Sequence, residues 1–125
     1  MTVTLVERYN PAWPQWFEQI KCLLGDNIHR TSIRIEHVGS TSIPGMTAKP
    51  IIDIIIAIRT GDWLLMKSLL EALGYEHQGD QGIPLREVFK QREGSSNVSA
   101  VPFHHLYVCP ENSPELKKRS LFETI

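Results

Sequence analysis

Apolar side chains recur at helical spacing near the start of the chain. Asn10 and Pro11 favour a helix start, because asparagine accepts hydrogen bonds from free backbone N–H groups and proline fits the first helical turn. The residues expected on the buried face follow three or four positions apart: Trp13, Phe17, Ile20 and Leu24. This spacing predicts an amphipathic helix, and Gly25-Asp26-Asn27 predicts its end.

The middle of the chain predicts two strands and a second helix. Residues 32–38 alternate as a strand does, and residues 51–58 are almost continuous isoleucine, which is typical of a strand covered on both faces. A helix is expected over 61–73, with Gly74 as its C-terminal cap. Its predicted core stripe is Leu65, Leu69 and Leu73.

The remaining segments complete an alternating pattern. Residues 87–90 and 103–109 are expected strands, and Ser113-Pro114 is typical of a helix start. Residues 3–8 alternate weakly, as an edge strand or an extended arm does, and 94–97 resemble an exposed loop tip. Helices that alternate with strands predict an α/β (α+β) fold, in which a mixed sheet is flanked by helices.

Bulk composition narrows the class of protein. The chain has 125 residues, the size of one domain, so 1–125 is interpreted as a single unit. Its net charge is −1, without the basic excess that an extended nucleic-acid surface requires. Two widely spaced cysteines, no signal-peptide pattern and no apolar run of about 20 residues favour a cytoplasmic protein without membrane contact.

Asp53 is the most informative single residue, because it interrupts the isoleucine-rich strand. Burying a lone carboxylate costs several kcal/mol. Asp53 is therefore expected near the strand end, in an ion pair or on a metal ion. A purely structural pairing with Lys49, Arg34 or a backbone N–H is the alternative.

The segment Gly39-Ser40-Thr41-Ser42 is suited to hold a phosphate. Glycine lets a ligand approach the backbone closely, and the hydroxyl groups add hydrogen-bond donors. The same residue types also form ordinary turns, so the sequence leaves both interpretations open. The segment matches neither the Walker A loop nor the dinucleotide-binding fingerprint.

Two histidines and two basic residues are further candidates. His104 and His105 are neighbours on a predicted strand and point to opposite faces, so at most one reaches a shared site. His105 is that candidate, and a packed imidazole is expected for His104. Lys49 and Arg86 are candidates for neutralising phosphate charge.

The central sequence resembles the GrpB family. The resemblance rests on Glu-His-Val-Gly-Ser-Thr-Ser-Ile-Pro-Gly at 36–45 and Ala-Lys-Pro-Ile-Ile-Asp-Ile at 48–54. It continues at Tyr9–Trp13, Leu73–Tyr75, His104–Leu106 and Ser113–Glu115, and so covers nearly the whole chain. The family is grouped with the nucleotidyltransferase superfamily and also occurs fused to dephospho-CoA kinase.

The resemblance implies a nucleotidyltransferase-like fold and a site. In that superfamily a Gly-Ser turn precedes a strand whose two carboxylates, at i and i+2, hold magnesium ions that align a nucleophile with a nucleoside triphosphate. The resemblance implies that Gly39-Ser40 forms the turn, that Asp53 takes the first acidic position and that the strand 103–109 provides the third.

In the transferase hypothesis Gly39–Ser42 bind the triphosphate, and Lys49 and Arg86, the other expected catalytic residues, neutralise the developing charge. The implied reaction transfers a nucleotidyl or phosphoryl group to an unknown acceptor.

This chain departs from the superfamily pattern at two positions. Ile55 stands where the second carboxylate is expected, and the strand 103–109 offers a histidine or a tyrosine instead of the third. His37, Asp53 and His105 are therefore predicted to hold one softer divalent metal ion, such as zinc or manganese, because imidazole suits those ions, in place of the magnesium that the superfamily pattern implies.

Several functions stay open at this stage. Besides the transferase, the sequence allows a binding module for a nucleotide or CoA-like ligand, a hydrolase with a single metal on histidine and aspartate, and a purely structural role. The missing second carboxylate favours the binding module. Glu36 would help to hold a metal only if its strand ended there, because it faces away from His37.

The chain is shorter than is usual for the family, whose members continue with helical sequence after 121–122. A missing helical part would expose apolar surface, which a homodimer would cover.

Overall fold

The computed structural model describes residues 6–92 and 101–113. Within these ranges a helix, two strands, a second helix and three further strands follow one another, with short 3-10 turns at Ser40–Ser42 and Thr60–Asp62. The elements are α1 (Trp13–Thr31), β1 (Ser32–Val38), β2 (Ile52–Ile58), α2 (Trp63–Leu73), β3 (Tyr75–His77), β4 (Glu87–Gln91) and β5 (His104–Pro110). The mixed α/β architecture expected from the alternating pattern is confirmed.

The five strands form one sheet in the order β1-β2-β5-β4-β3. The central pair, β2 and β5, is parallel, and the other neighbouring strands are antiparallel. Glu7 and Ala48 form an isolated antiparallel bridge, as expected for an extended arm rather than a strand. Residues 3–5 of the predicted arm, the predicted loop tip at 94–97 and the predicted helix from Pro114 onward lie outside the described residues.

Both helices pack on one face of the sheet. Alternate side chains of β2 meet the apolar faces of α1 and α2, because successive strand residues point to opposite sides. Fully burying one isoleucine side chain contributes about 1.5–3 kcal/mol relative to exposure, so this face carries most of the stabilisation. Its buried residues include Trp13, Ile20, Leu24, Ile28, Ile52, Ile54, Ile56, Ile58, Met66, Leu70, Leu106 and Val108.

Helix α1 differs from its prediction at both ends. It begins at Trp13, because Asn10 Oδ1 accepts the N–H of Ala12 at 2.8 Å and so caps a turn ahead of the helix. Gly25 leaves the helical conformation with φ 80° and ψ 173°, so the first helical segment ends where the sequence predicts, and a second segment, which was not predicted, follows it to Thr31. Glycine tolerates this conformation, and the helix continues past the break.

Helix α2 ends as predicted, but only part of its predicted stripe reaches the core. Gly74 follows it with a φ of 109°, the left-handed conformation expected of a glycine cap. Leu69 and Leu73 are partly buried against the core, as predicted. Leu65, however, is 52% exposed, and the fully buried residues are Met66 and Leu70. Leucines occupy several sides of this helix, so only packing against the sheet decides which side is buried.

Four of the five strands in the described ranges match their predictions, and β3 was not predicted. β1 and β2 begin and end within one residue of their predicted limits, and so do β4 and β5. β3 has only three residues and was not predicted, because so short a segment carries no clear alternation.

Candidate functional site

The candidate site lies on the sheet face opposite the two helices. Residues paired across neighbouring strands share a face, and the register of four strands defines two adjacent rows of side chains there. The Asp53 row contains Val38, Asp53, His105 and Lys90. The Ile55 row contains Glu36, Ile55, Tyr107 and Val88.

Asp53 lies directly against the turn that follows β1. Gly39 in this turn has a φ of 75°, and a Cβ atom built on it would lie 2.7 Å from Oδ2 of Asp53. A side chain at position 39 would therefore displace the carboxylate, besides straining the backbone. The predicted phosphate turn and the predicted acidic residue are thus direct neighbours.

The hydroxyl groups of the turn have different surroundings. Ser42 Oγ donates a hydrogen bond of 2.6 Å to the carbonyl of Gly39, which closes the turn. Thr41 is buried, and its hydroxyl shares a hydrogen bond of 2.9 Å with Nε2 of His37. Ser40 is exposed, and its side chain makes no hydrogen bond within 6–92 and 101–113, so it is available to a ligand.

His37 supports the turn from the other face of the sheet. It pairs in register with Ile54, and its ring stacks on Phe17 with 5.1 Å between centroids. Burial lowers the pKa of His37, and the charge of Asp53 opposes this effect only in part. The neutral imidazole therefore serves as a hydrogen-bond partner for Thr41. It does not lie beside His105, as the predicted metal site would require.

The predicted metal set is not assembled. His37 faces the helices, whereas Asp53 and His105 lie on the opposite face. Among the residues that the structure describes, no three histidine, cysteine, aspartate or glutamate side chains are grouped closely enough to hold a metal ion. Asp53 and His105 stay together, with Nδ1 of His105 at 3.6 Å from Oδ1 of Asp53.

Asp53 is partly open and has two neighbours from β5. The hydroxyl of Tyr107 donates to Oδ1 of Asp53 at 3.3 Å, and His105 lies beside the same oxygen. The Asp53 side chain is 28% exposed, so the cost of full burial is avoided. Two of the structural partners expected for Asp53 do not pair with it: Lys49 is exposed without an ion pair to the described residues, and Arg34 pairs with Glu36.

Arg86 extends this group by way of Tyr107. Its guanidinium carbon lies 5.1 Å from the centre of the Tyr107 ring, within the range of a cation–π contact. Nε of Arg86 is buried and has no hydrogen-bond partner in the part of the chain that the structure describes, although buried donors are normally paired. Arg86, Tyr107 and Asp53 thus form a continuous series of contacts.

Glu36 is expected to help hold the metal only if its strand ends there, but β1 runs on to Val38. Oε1 of Glu36 pairs with Nε of Arg34 at 3.0 Å, while Oε2 is buried without a hydrogen-bond partner among the described residues. Strand alternation already places Glu36 and Val38 on one face. Only the register shows that this is also the face of Asp53.

His104 is a packed imidazole, as expected. It is fully buried, its Nε2 shares a hydrogen bond of 2.6 Å with the hydroxyl of Tyr75, and its Nδ1 lies 2.6 Å from the carbonyl of Pro102. Burial lowers the pKa of His104 to about 4, more than the Pro102 hydrogen bond offsets, so the ring is neutral near pH 7.

A separate apolar cavity lies away from Asp53. It occupies about 220 Å³ at the far ends of β2 and β5, and its walls include Ile58, Trp63, Leu85 and Val108. None of the predicted site residues lines it.

A family model described as GrpB protein matches residues 2–125. The chain belongs to the GrpB family. UPF0157 protein YqkA of Bacillus subtilis is 34% identical over 119 residues, which is 91% of this chain and 32% of YqkA. Glutamate-rich protein GrpB of Alkalihalophilus pseudofirmus is 30% identical over 100 residues, 78% of this chain and 58% of the relative. This GrpB-family chain therefore spans about a third to three fifths of these relatives.

Solved structures show that the fold is nucleotidyltransferase-like. The conserved protein GrpB from Enterococcus faecalis superposes with a TM-score of 0.77 at 28% identity, over 96% of this chain and 70% of that one. Cid1 in complex with the UTP analogue UMPNPP superposes with a TM-score of 0.53 at 15% identity, over 93% of this chain and 35% of Cid1. The likeness to Cid1 concerns the fold alone.

No helix in the described ranges is long and apolar enough to cross a membrane.

Proposed function

We propose that this GrpB-family chain binds the triphosphate of a nucleotide beside Gly39–Ser42 and transfers a nucleotidyl group to an acceptor hydroxyl. The observation that carries the proposal is the 2.7 Å approach of the Gly39 Cβ position to the Asp53 carboxylate. It puts a glycine-containing turn, whose Ser40 is exposed and suited to an anion, beside an acidic side chain suited to a cation. The fold shared with Cid1, which was solved with a UTP analogue, supports the same ligand class.

Each residue has a defined part in this proposal. The exposed hydroxyl of Ser40 donates to a phosphate oxygen, and the partly open carboxylate of Asp53 is a ligand for magnesium or manganese, both of which prefer oxygen donors. Arg86, with its buried unpaired Nε, neutralises phosphate charge from the far side of Tyr107. Lys49 is exposed and available as a second cation for the phosphates.

The reaction is an in-line displacement at the α-phosphorus. The acceptor oxygen bonds to this phosphorus as the bridging bond to the β-phosphate breaks, so that pyrophosphate leaves and the hydroxyl proton passes to a basic group or water. A divalent cation supplies charge neutralisation and alignment of the phosphates. Asp53 is fixed for this task by Gly39 on one side and Tyr107 on the other.

A second candidate is nucleotide or CoA-like-ligand binding without transfer. Ile55, fully buried, stands two residues after Asp53, where the superfamily has its second carboxylate. A hydrolase with one metal on His37, Asp53 and His105 has less support, because His37 lies on the opposite face.

Calorimetric titration tests the proposal. UMPNPP is titrated into the chain with and without magnesium, and the Asp53→Asn variant is compared with Asp26→Asn, which alters an exposed aspartate of α1. We expect binding that requires magnesium, a loss of about tenfold or more in affinity for Asp53→Asn, and no change for Asp26→Asn. Pyrophosphate release from UTP then distinguishes transfer from binding alone.

Each other outcome has a defined meaning. Binding that ignores both magnesium and Asp53 contradicts the metal assignment and favours the binding module. A titration with a CoA precursor in place of UMPNPP tests the other ligand class.

A further inference from the structure

We infer that Glu36 supplies the second acidic ligand of the cation that Asp53 binds. The inference rests on the proposed function and adds a residue from β1 to a site otherwise built on β2 and β5. It gives the chain two carboxylates although position 55 is isoleucine.

The register places Glu36 where a second carboxylate is needed. Glu36 pairs with Ile55, and Val38 pairs with Asp53, so Glu36 is the diagonal neighbour of Asp53 on the same face. Diagonal neighbours in an antiparallel pair have Cα atoms about 7–8 Å apart, within reach of long side chains. A glutamate from β1 can thus replace the missing i+2 residue of β2.

One oxygen of Glu36 lacks the partner that its burial calls for. Oε1 pairs with Arg34 at 3.0 Å, but Oε2 is buried and accepts no hydrogen bond from residues 6–92 or 101–113. Leaving such a group unsatisfied costs about 1–3 kcal/mol, and more for a charged group. A cation between Glu36 and Asp53 would satisfy this oxygen.

The donor set suits magnesium or manganese. Magnesium commonly binds through one or two carboxylates and completes its shell with water and substrate phosphates. Two carboxylates and a triphosphate are therefore sufficient to bind this ion. The lack of a group of three protein ligands among the described residues does not contradict such a site. Arg34 balances the charge of Glu36 until the cation arrives.

Terbium luminescence tests the inference without relying on catalysis. Tb³⁺ replaces hard divalent cations at oxygen sites, and Tyr107, whose hydroxyl lies 3.3 Å from Asp53, is positioned to sensitise its emission. Glu36→Gln removes the charge and keeps the size of the side chain, and Glu71→Gln, an exposed glutamate of α2, is the matched control. We expect Glu36→Gln to weaken Tb³⁺ binding by about tenfold or more, as Asp53→Asn does, and Glu71→Gln to leave it unchanged.

Arg34→Gln distinguishes a ligand from a merely structural ion pair. Both Glu36→Gln and Arg34→Gln break the Arg34–Glu36 pair. If Glu36 is a ligand, they act in opposite directions, because removing the competing guanidinium frees the carboxylate and tightens Tb³⁺ binding. Equal weakening by the two variants would overturn the inference.

The remaining outcomes separate this inference from the proposed function. If Asp53→Asn weakens Tb³⁺ binding but Glu36→Gln behaves like Glu71→Gln, Glu36 is not a ligand and the proposed function stands. If neither variant has an effect, the cation site itself is refuted.

Discussion

His104 and His105 are consecutive residues of one strand with opposite surroundings. His104 points into the helix-covered face, is fully buried and is held by Tyr75 and Pro102. His105 points to the other face, is one third exposed and lies beside Asp53. The period of two along a strand therefore assigns one imidazole to the core and the next to the candidate site.

The difference between the two faces explains how this small sheet serves two purposes. The helix-covered face is packed with isoleucine and leucine and provides most of the stability. The opposite face has a smaller apolar cluster, of Val38, Ile55, Ala57 and Cys109. Because little apolar packing covers it, this opposite face can hold polar and charged groups that leave some hydrogen bonds to solvent or to a ligand. Changes on the first face should affect stability, and changes on the second should affect ligand binding.

The largest expected contrast is the effect of acid on the two histidines. The unfolded chain protonates His104 near pH 6.5, whereas the folded chain does so only near pH 4. The unfolded state thus binds more protons between these values, so the free energy of unfolding falls as the pH falls. The contribution of neutral His104, up to about 3 kcal/mol, is complete above pH 6.5 and lost by pH 4.

Urea denaturation at a series of pH values measures this loss. His104→Gln should flatten the decline, while His105→Gln should retain most of it, because burial lowers the pKa of His104 more than the charge of His105 does. The lowered pKa of His37 adds a loss of the same sign, so some decline remains in His104→Gln. A decline that disappears in His105→Gln would reverse the assignment of the two faces.

The second contrast uses two tyrosines whose hydroxyl groups lie on opposite faces. Tyr75→Phe leaves Nε2 of buried His104 without its 2.6 Å partner and should cost about 1–3 kcal/mol. Tyr107→Phe removes the longer contact of 3.3 Å to the partly exposed Asp53 and should cost less than about 1 kcal/mol. Thermal or urea denaturation checks both. Equal losses would show that the open face contributes more to stability than proposed.

The smallest contrast concerns two glycines with nearly the same backbone conformation. Gly25 (φ 80°, ψ 173°) and Gly39 (φ 75°, ψ −172°) lie in a region that strains any other residue by about 1–3 kcal/mol. A Cβ at Gly25 meets nothing within 4 Å, whereas one at Gly39 meets the Asp53 carboxylate at 2.7 Å. Gly39→Ala should therefore lose about 1 kcal/mol more than Gly25→Ala.

Ligand titration sharpens the glycine comparison. Gly39→Ala should also abolish UMPNPP binding, because it displaces Asp53, while Gly25→Ala should bind normally once folded. If both variants bind alike, the contact between the turn and Asp53 has no role in the site.

Much of the fold followed from local patterns. Alternation in 32–38 and the isoleucine run in 51–58 predicted β1 and β2 closely, because each carries enough apolar positions to specify its period. Gly25 interrupts α1 as predicted, but the helical segment that follows it to Thr31 was not predicted, and neither was the full burial of Met66 and Leu70 in α2. In both cases tertiary packing chose between local conformations that the sequence allows equally.

The sequence by itself determined the chemistry available to the site: a glycine and hydroxyl turn, one carboxylate in a core strand, and two adjacent histidines of which one would face that carboxylate. Only the tertiary structure decided which of these groups meet. β5 inserts beside β2 in parallel and brings His105 and Tyr107 to Asp53, and the register of β1 turns Glu36 toward the site and His37 away from it. Strand order and register depend on contacts between residues far apart in the chain, and no local pattern specifies them.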